Sequence, residues 1–295
     1  MDAIVSVVIT TYKREMSILE RAIKSVLNQT YKNLDIIVVN DYPAYKQKIQ
    51  EMLEGYPFVR FISHESNQGA CKARNDGVRI SNGDYVAFLD DDDEWIATKI
   101  ENQLNELLRC GADMVYCNGY YHNVDGSLKS NSYIYGCTQE QQFEKLLFDN
   151  FMGGCSYPLV KKSMFEKISG FDPAMKSCQD WDFYIRLAQV GKIVYLDERL
   201  VLYYLQEDSI TSNYQKRVEG YYSLLEKHWE LFREHKKAAE SMYKKIALLG
   251  YEHRNSKVIL NAAIKSFTIF PSNLLVLRRV VRLLLMILRD SLKRK

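Results

Sequence analysis

Four short apolar runs, each closing on polar residues and separated from the next by a helical stretch, constrain this chain more than any other feature of it. Residues 4–9, IVSVVI, and 34–39, LDIIVV, carry β-branched side chains at nearly every position. A strand with one wet face alternates apolar with polar, whereas an unbroken run belongs to a strand covered on both faces. VRFIS at 59–63 and YVAFL at 85–89 supply a third and a fourth strand. Residues 16–28, 46–54 and 71–80 read as helices. In the first, Leu19, Ala22, Ile23, Val26 and Leu27 recur at helical spacing, and the Asn82–Gly83 turn stops the third. This alternation predicts an α/β fold, a mostly parallel sheet with helices on both faces.

Such sheets bind ligands in the crevice beyond the carboxyl ends of their strands. Strand one ends in Thr10-Thr11-Tyr12, strand two in Asn40-Asp41, and strand four in Asp90-Asp91-Asp92-Asp93, so these residues should share one rim. Four consecutive carboxylates repel one another unless something positive joins them. A hard divalent cation, Mg2+ or Mn2+, suits them, because it prefers carboxylate oxygens and shares them with phosphates. The alternative is a helix cap, with Asp93 or Glu94 feeding the next N-terminus, but one acid would suffice for that.

Three stretches carry a family likeness: VSVVITTYKR, QTYKNLDIIVVND and NQGACKARNDGVRISNGDYVAFLDDDDEW. They resemble the N-terminal signature of family 2 glycosyltransferases, strongly over residues 4–100 and more loosely over 150–212. The resemblance implies the Rossmann-like GT-A fold and inverting sugar transfer from a nucleotide diphosphate. It implies that Thr10 and Tyr12 lie at the nucleotide, with Tyr12 stacked on the base, and that Asp41 accepts a uracil N–H. Asn67 and Gly69 match the turn before the helix that carries Arg74. Arg74 itself would lie near the base or diphosphate, or else on the helix surface. Asp90–Asp92 match the DxD motif: Asp90 toward the ribose, Asp92 on the metal, Asp91 contributing between them. Trp95 either packs in the core or touches ligand.

The segment 169–191, SGFDPAMKSCQDWDFYIRLAQVG, resembles the acceptor-side motif of the same family. By that likeness Asp180, just before Trp181, is the catalytic base. Gln179 stands where many members carry Glu, Asp182 is the rival base, and a helix-capping acid is the alternative role for Asp180. Gly153-Gly154 is either a close approach to the sugar or a plain loop. At 203–211, YYLQEDSIT, Tyr204 and Gln206 replace a basic pair that relatives often carry, which leaves Gln206 to bond a phosphate oxygen. The five histidines, His64 among them, read as satisfied or surface residues.

From about residue 214 onward the period is helical throughout, over 218–232, 238–253 and 256–270, and the last two suggest a helical hairpin. Residues 272–295 read as a cationic amphipathic helix. Arg278, Arg282, Arg289 and Lys293 fall within about 60° of arc, opposite Leu277, Val281, Leu284, Leu288 and Leu292. That face suits an anionic membrane surface, or alternatively the protein body or a second chain in an oligomer. The formal charge of +3 is therefore split. Residues 274–295 hold seven Lys/Arg and one acid, leaving a mildly acidic body with no footprint for nucleic acid.

No run of about 18 uncharged apolar residues exists to span a bilayer. The first residues lack a secretory signal, and six scattered cysteines fit reduced thiols. The organisation expected is a nucleotide-sugar half at 1–100, an acceptor half at 101–214, and a helical extension at 215–295. The expected activity is metal-dependent transfer from a UDP-sugar to a glycan or lipid-linked acceptor, in cell-surface polysaccharide synthesis at the inner face of the membrane. A non-catalytic binding scaffold and a nucleotidyltransferase are the rivals. The second would need a Gly-rich phosphate loop that TTYKREMSI lacks.

Overall fold

The computed structural model describes residues 3–123, 126–204 and 213–269, with residues 278, 281, 282 and 285. They divide into two compact units. The first comprises Met1–Leu146, Asn150–Met175 and Gln179–Gln206; the second comprises Leu147–Asp149, Lys176–Cys178 and Glu207–Lys295.

The first unit opens with β1 (Val5–Thr11), α1 (Met16–Leu27), β2 (Leu34–Asn40), α2 (Lys46–Leu53), β3 (Val59–Ser63), α3 (Ala70–Ile80) and β4 (Tyr85–Asp90). The four apolar runs are these four strands, all parallel in the order β3-β2-β1-β4. Val5, Val7, Val8 and Ile9 are buried on both faces, as the unbroken run requires. Helix α3 crosses this sheet so closely that a Cβ at Gly77 would sit 2.3 Å from Val8 Cγ1. Only glycine allows that approach.

Next come β5 (Glu94–Trp95), α4 (Lys99–Cys110), β6 (Met114–His122), β7 (Leu128–Ser130), α5 (Gln139–Phe148), β8 (Pro158–Lys161), α6 (Lys162–Lys167), α7 (Gln179–Ala188) and β9 (Ile193–Tyr204). The sheet continues β4-β8-β6-β9-β5, with β7 beside β6. Here the pairing is mixed. β8 runs antiparallel to both β4 and β6, β5 is antiparallel to β9, and only β6–β9 is parallel. The fold is the expected GT-A class, with the parallel character concentrated in its first half. Short antiparallel strands need no long crossover, so their sequences carry no βαβ signature. Glu94 and Trp95 lie in β5, so the acidic run does not cap α4, whose N-cap is Thr98. Trp95 is core: it is 3% exposed, and its indole N–H donates to Ser156 O at 2.9 Å.

The second unit holds α8 (Tyr214–Lys227), α9 (Trp229–Glu234), α10 (Lys236–Glu252) and α11 (Ser256–Ile269). The helix expected over 218–232 is broken at His228. α10 and α11 form the expected hairpin, closed by Asn255 N donating to Gly250 O at 2.7 Å. Among the described residues no helix is long and apolar enough to cross a membrane. Gln206 and the amphipathic stretch of 272–295 fall outside the described residues, apart from the four positions named above.

Candidate active site

Register aligns the strand ends. Thr10 pairs with Asp90 on one side and Val39 on the other, and Thr11 pairs with Asn40. Half-buried Thr10, exposed Tyr12, buried Asp41 and the acidic run therefore do share one rim.

Along that run the side chains alternate. Asp91 and Asp93 are buried, whereas the side chains of Asp90 and Asp92 keep 33% and 20% of their exposure. The compensating charges are guanidinium groups. Arg14, turned back by Lys13 at φ 54°, donates Nε to Asp91 Oδ1 at 2.8 Å and Nη2 to Asp92 Oδ2 at 2.9 Å. Asp91 also accepts the Tyr12 amide at 3.3 Å. Arg74 is buried, which removes the helix-surface alternative. Its Nη2 donates to Asp90 Oδ1 at 2.6 Å, and Nη1 donates to Gln179 Oε1 at 3.1 Å. Arg21 donates to Asp92 O at 2.7 Å and stacks 3.6 Å over the Tyr204 ring, whose hydroxyl donates to Glu94.

Two arginines do not neutralise the run. Burial, reinforced by Asp90 and Asp91 and opposed by Arg14, pushes the Asp92 carboxyl up to about 6. Asp93, deeper still, is held well above the usual range by burial and by Asp90 and Asp92. No three acidic, His or Cys side chains among the described residues group as a ready-made cation cage. Mg2+ needs none, since it keeps its waters and takes one or two carboxylates plus substrate phosphates. The partly exposed oxygens of Asp90 and Asp92, with surplus negative charge behind them, fit that donor set.

Asp41 is held by the loop that joins β3 to α3. Its Oδ1 accepts from Gln68 N at 2.7 Å, and its Oδ2 accepts from Gly69 N at 2.8 Å; exposed Asn67 accepts from the same Gly69 amide. His64 is a satisfied histidine, as one of the two expected roles has it, and not a surface one. Its Nδ1 lies 2.7 Å from Asp41 Oδ1 and its Nε2 lies 3.1 Å from Asp76 Oδ2, bridging two carboxylates. The Tyr12 ring stands edge-on to Tyr42, with centroids 5.5 Å apart.

Asp180 opens α7, half-buried, and does make a capping-type bond, accepting the Trp181 amide at 2.8 Å. Its other oxygen accepts Asn150 Nδ2 at 3.1 Å, and the same amide donates to Gly153 O. Gly153 has φ +87°, and a Cβ there would meet Ile134 and Tyr157, so the tight loop beside Asp180 requires glycine. Burial pushes the Asp180 carboxyl up to about 6, with Asp90 adding to the rise and Arg74 opposing it. Asp182 is fully buried and paired with Arg186 at 2.7 Å, which disqualifies it as the rival base.

Arg14, Arg21, His64 and Asn150 are the polar partners that sequence reasoning missed. His64 had a readable signal: it follows the residue paired with Asn40 across β2–β3, and so it must lie beside Asp41.

A GT-A sheet with an acidic run at its rim and a second carboxyl at the head of α7 defines a sugar-transferase class of architecture. The model of glycosyl transferase family 2 matches residues 6–169, and the chain belongs to that family. An uncharacterized glycosyltransferase of Haemophilus influenzae is 32% identical over 188 residues, and that match spans 62% of this chain and 62% of the relative. WfgD of Escherichia coli, a UDP-Glc:alpha-D-GlcNAc-diphosphoundecaprenol beta-1,3-glucosyltransferase, is 26% identical over 76% of this chain and 86% of its own. The crystal structure of S. aureus TarS 1–349 in complex with UDP-GlcNAc matches with a TM-score of 0.62 at 14% identity. It covers 90% of this chain and 89% of that one, a likeness of fold.

Proposed function

We propose that this protein is a metal-dependent, inverting glycosyltransferase that moves a sugar from a UDP-sugar to a lipid-linked or glycan acceptor in cell-surface polysaccharide synthesis. The observation that carries the proposal is the double contact of Arg74. It bonds Asp90 of the acidic run and also Gln179, the residue next to Asp180, so a donor-side carboxylate and an acceptor-side carboxyl answer to one cation. Family membership supports the reaction class. The lipid-diphosphate acceptor named for WfgD and the UDP-GlcNAc held by TarS support the substrate classes.

In this reading residues 1–100 hold the donor, with Tyr12 against the base, Asp41 on the uracil N–H, and Thr10, Asn67, Arg74, Asp90 and Asp91 shaping the pocket. Residues 101–214 hold the acceptor. Asp180 takes the proton from the acceptor hydroxyl while that oxygen attacks the anomeric carbon, and the bond to the UDP oxygen breaks on the opposite face. A carboxyl near 6 is ionised at neutral pH yet basic enough to serve. Asp92, with Asp90 nearby, would hold Mg2+ or Mn2+, which when bound supplies charge to offset that gathering on the departing diphosphate. Arg14 keeps Asp91 and Asp92 in place. The basic helix of 272–295 would rest on the anionic inner face of the cell membrane, where a lipid-linked acceptor is found.

The test is UDP release from a panel of nucleotide sugars with Mn2+ or Mg2+, in the presence and absence of chelator. Chelator-sensitive release from a UDP-sugar is expected. Turnover untouched by chelator would remove the role given to Asp92.

A further inference from the structure

A single hydroxyl closes the turn that carries the acidic run. The ladder between β4 and β8 ends at Ala87 opposite Leu159, short of Asp90. Beyond it the Ser156 side chain replaces a strand partner: its Oγ accepts the Asp90 amide at 3.1 Å. The same hydroxyl donates to Asp93 Oδ2 at 2.5 Å, and Asp93 N donates to Asp90 O at 3.0 Å. A serine hydroxyl has one proton to give and lone pairs to accept, so both ends of the Asp90–Asp93 turn hang on Ser156. Ser156 and Asp93 are 0% and 2% exposed, and bulk water cannot stand in for either bond. Asp93 is drawn inward, while the Asp90 and Asp92 side chains keep their partial exposure. Ser156 is anchored in turn, its carbonyl accepting the Trp95 indole N–H at 2.9 Å. The short segment that ends in Ser156 begins at Asn150, which donates to Asp180, and between them Gly154 O accepts the Tyr184 hydroxyl at 2.8 Å. One stretch of chain thus ties the acidic turn to the carboxyl at the head of α7.

We propose that Ser156 is a positioning residue for donor binding, holding the Asp90–Asp93 turn in the shape that presents Asp90 and Asp92 to a metal-bound nucleoside diphosphate. The inference rests on the donor reading of the acidic run. Ser156 is buried and acts through the two aspartates it bonds, not on the donor itself. Without its hydroxyl, the Asp90 amide and the Asp93 carboxyl lose a shared partner in a dry interior, where an unpaired polar group is costly. The turn then relaxes toward other partners and carries Asp90 and Asp92 out of the spacing that a small cation with strict geometry selects. The base is spared, because the bond from Asn150 to Asp180 does not pass through this hydroxyl.

The test is calorimetry of UDP in the presence of Mn2+ on the full chain, Ser156→Ala and Ser156→Thr, with urea unfolding of each. Threonine keeps the hydroxyl but adds a methyl group to a fully buried position, so both variants should lose stability and only alanine should lose the tie. Ser156→Ala should weaken UDP binding about tenfold, as for the loss of one hydrogen bond to a charged group. Ser156→Thr should bind within about threefold of the parent despite its lower stability. With a productive UDP-sugar, Ser156→Ala should raise the donor KM by a similar factor and leave kcat and the acid limb of the pH profile in place. Affinity in Ser156→Ala within about twofold of the parent, or a loss in both variants that follows their stability, would overturn the proposal and leave Ser156 as core packing alone. A parent chain that fails to bind UDP with Mn2+ would remove the donor reading, and this inference with it. UDP binding by the parent, matched by the alanine variant, would remove this inference and leave the donor reading standing.

Discussion

Arg74 and Asp90 form a 2.6 Å ion pair between α3 and the end of β4, and the arginine is buried. Burial disfavours the charged guanidinium, and Cys155 together with Asp90 outweighs that effect, holding its pKa above the ordinary value. Arg74→Ala would leave Asp90 facing Asp180 with no cation of its own, Arg14 remaining on the Asp91–Asp92 side. The expected cost is about 3 kcal/mol, at the low end for broken buried pairs because Asp90 is partly exposed. Urea unfolding checks it. Arg74→Lys should recover part of the stability and less of the UDP affinity, since an ammonium cannot fork to Asp90 and Gln179 together.

His64 lies 2.7 Å from Asp41, the carboxylate assigned to the base of the donor. Asn cannot span from Asp41 to Asp76, so His64→Asn should loosen Asp41 while the transfer chemistry stays intact. The expected signature is a donor KM raised about tenfold at nearly constant kcat, as for the loss of one hydrogen bond to a charged group. Steady-state kinetics with varied UDP-sugar would read it. An equal fall in kcat would put His64 in the chemistry instead.

Asp180 must be ionised to accept a proton, and burial places its carboxyl at about 6. The rate should therefore fall as pH drops below about 6, approaching tenfold per unit, and level off above it. Asn150 donates to the charged form of Asp180. Removing that bond with Asn150→Ala should disfavour ionisation and move the acid limb upward, by about half a pH unit. A pH profile of kcat/KM in both proteins measures the shift. A limb that stays in place would detach Asn150 from the base.

A chain ending at Ser272 should lose co-sedimentation with anionic vesicles, since each Lys/Arg near such a surface contributes about 1 kcal/mol. Its UDP release in solution should match that of the full chain. Undiminished sedimentation would move the membrane contact elsewhere.

The first half of the fold was legible because burial on both faces writes itself as unbroken β-branched runs. All four strands and three helices between Val5 and Asp90 lie within about two residues of their expected limits. β5, β7 and β8 were not legible. Strands of two to four residues have no period to detect, and their partners are set by tertiary contacts. The break at His228 was hidden for a related reason, since the apolar period runs on through a kink. In the site, residues carrying charge on strand ends stood out. Of the arginines that answer them, Arg74 stood out only through the family likeness, and Arg14 and Arg21 did not, because a turn and a helix bring them in and their facing is fixed only on folding. The family likeness ranked Asp180 ahead of Asp182, but their surroundings were not legible; two residues of helix, about 200° of turn, put Asp182 against Arg186 and Asp180 beside Asn150.

The most direct measurement is turnover and UDP affinity of Asp180→Asn beside the parent chain, once a productive UDP-sugar is in hand. Asparagine preserves the shape and accepts the same Trp181 amide bond, but it cannot take a proton. The expected result is kcat reduced at least a hundredfold, with UDP binding changed less than threefold. Turnover within tenfold of the parent would contradict Asp180 as the base.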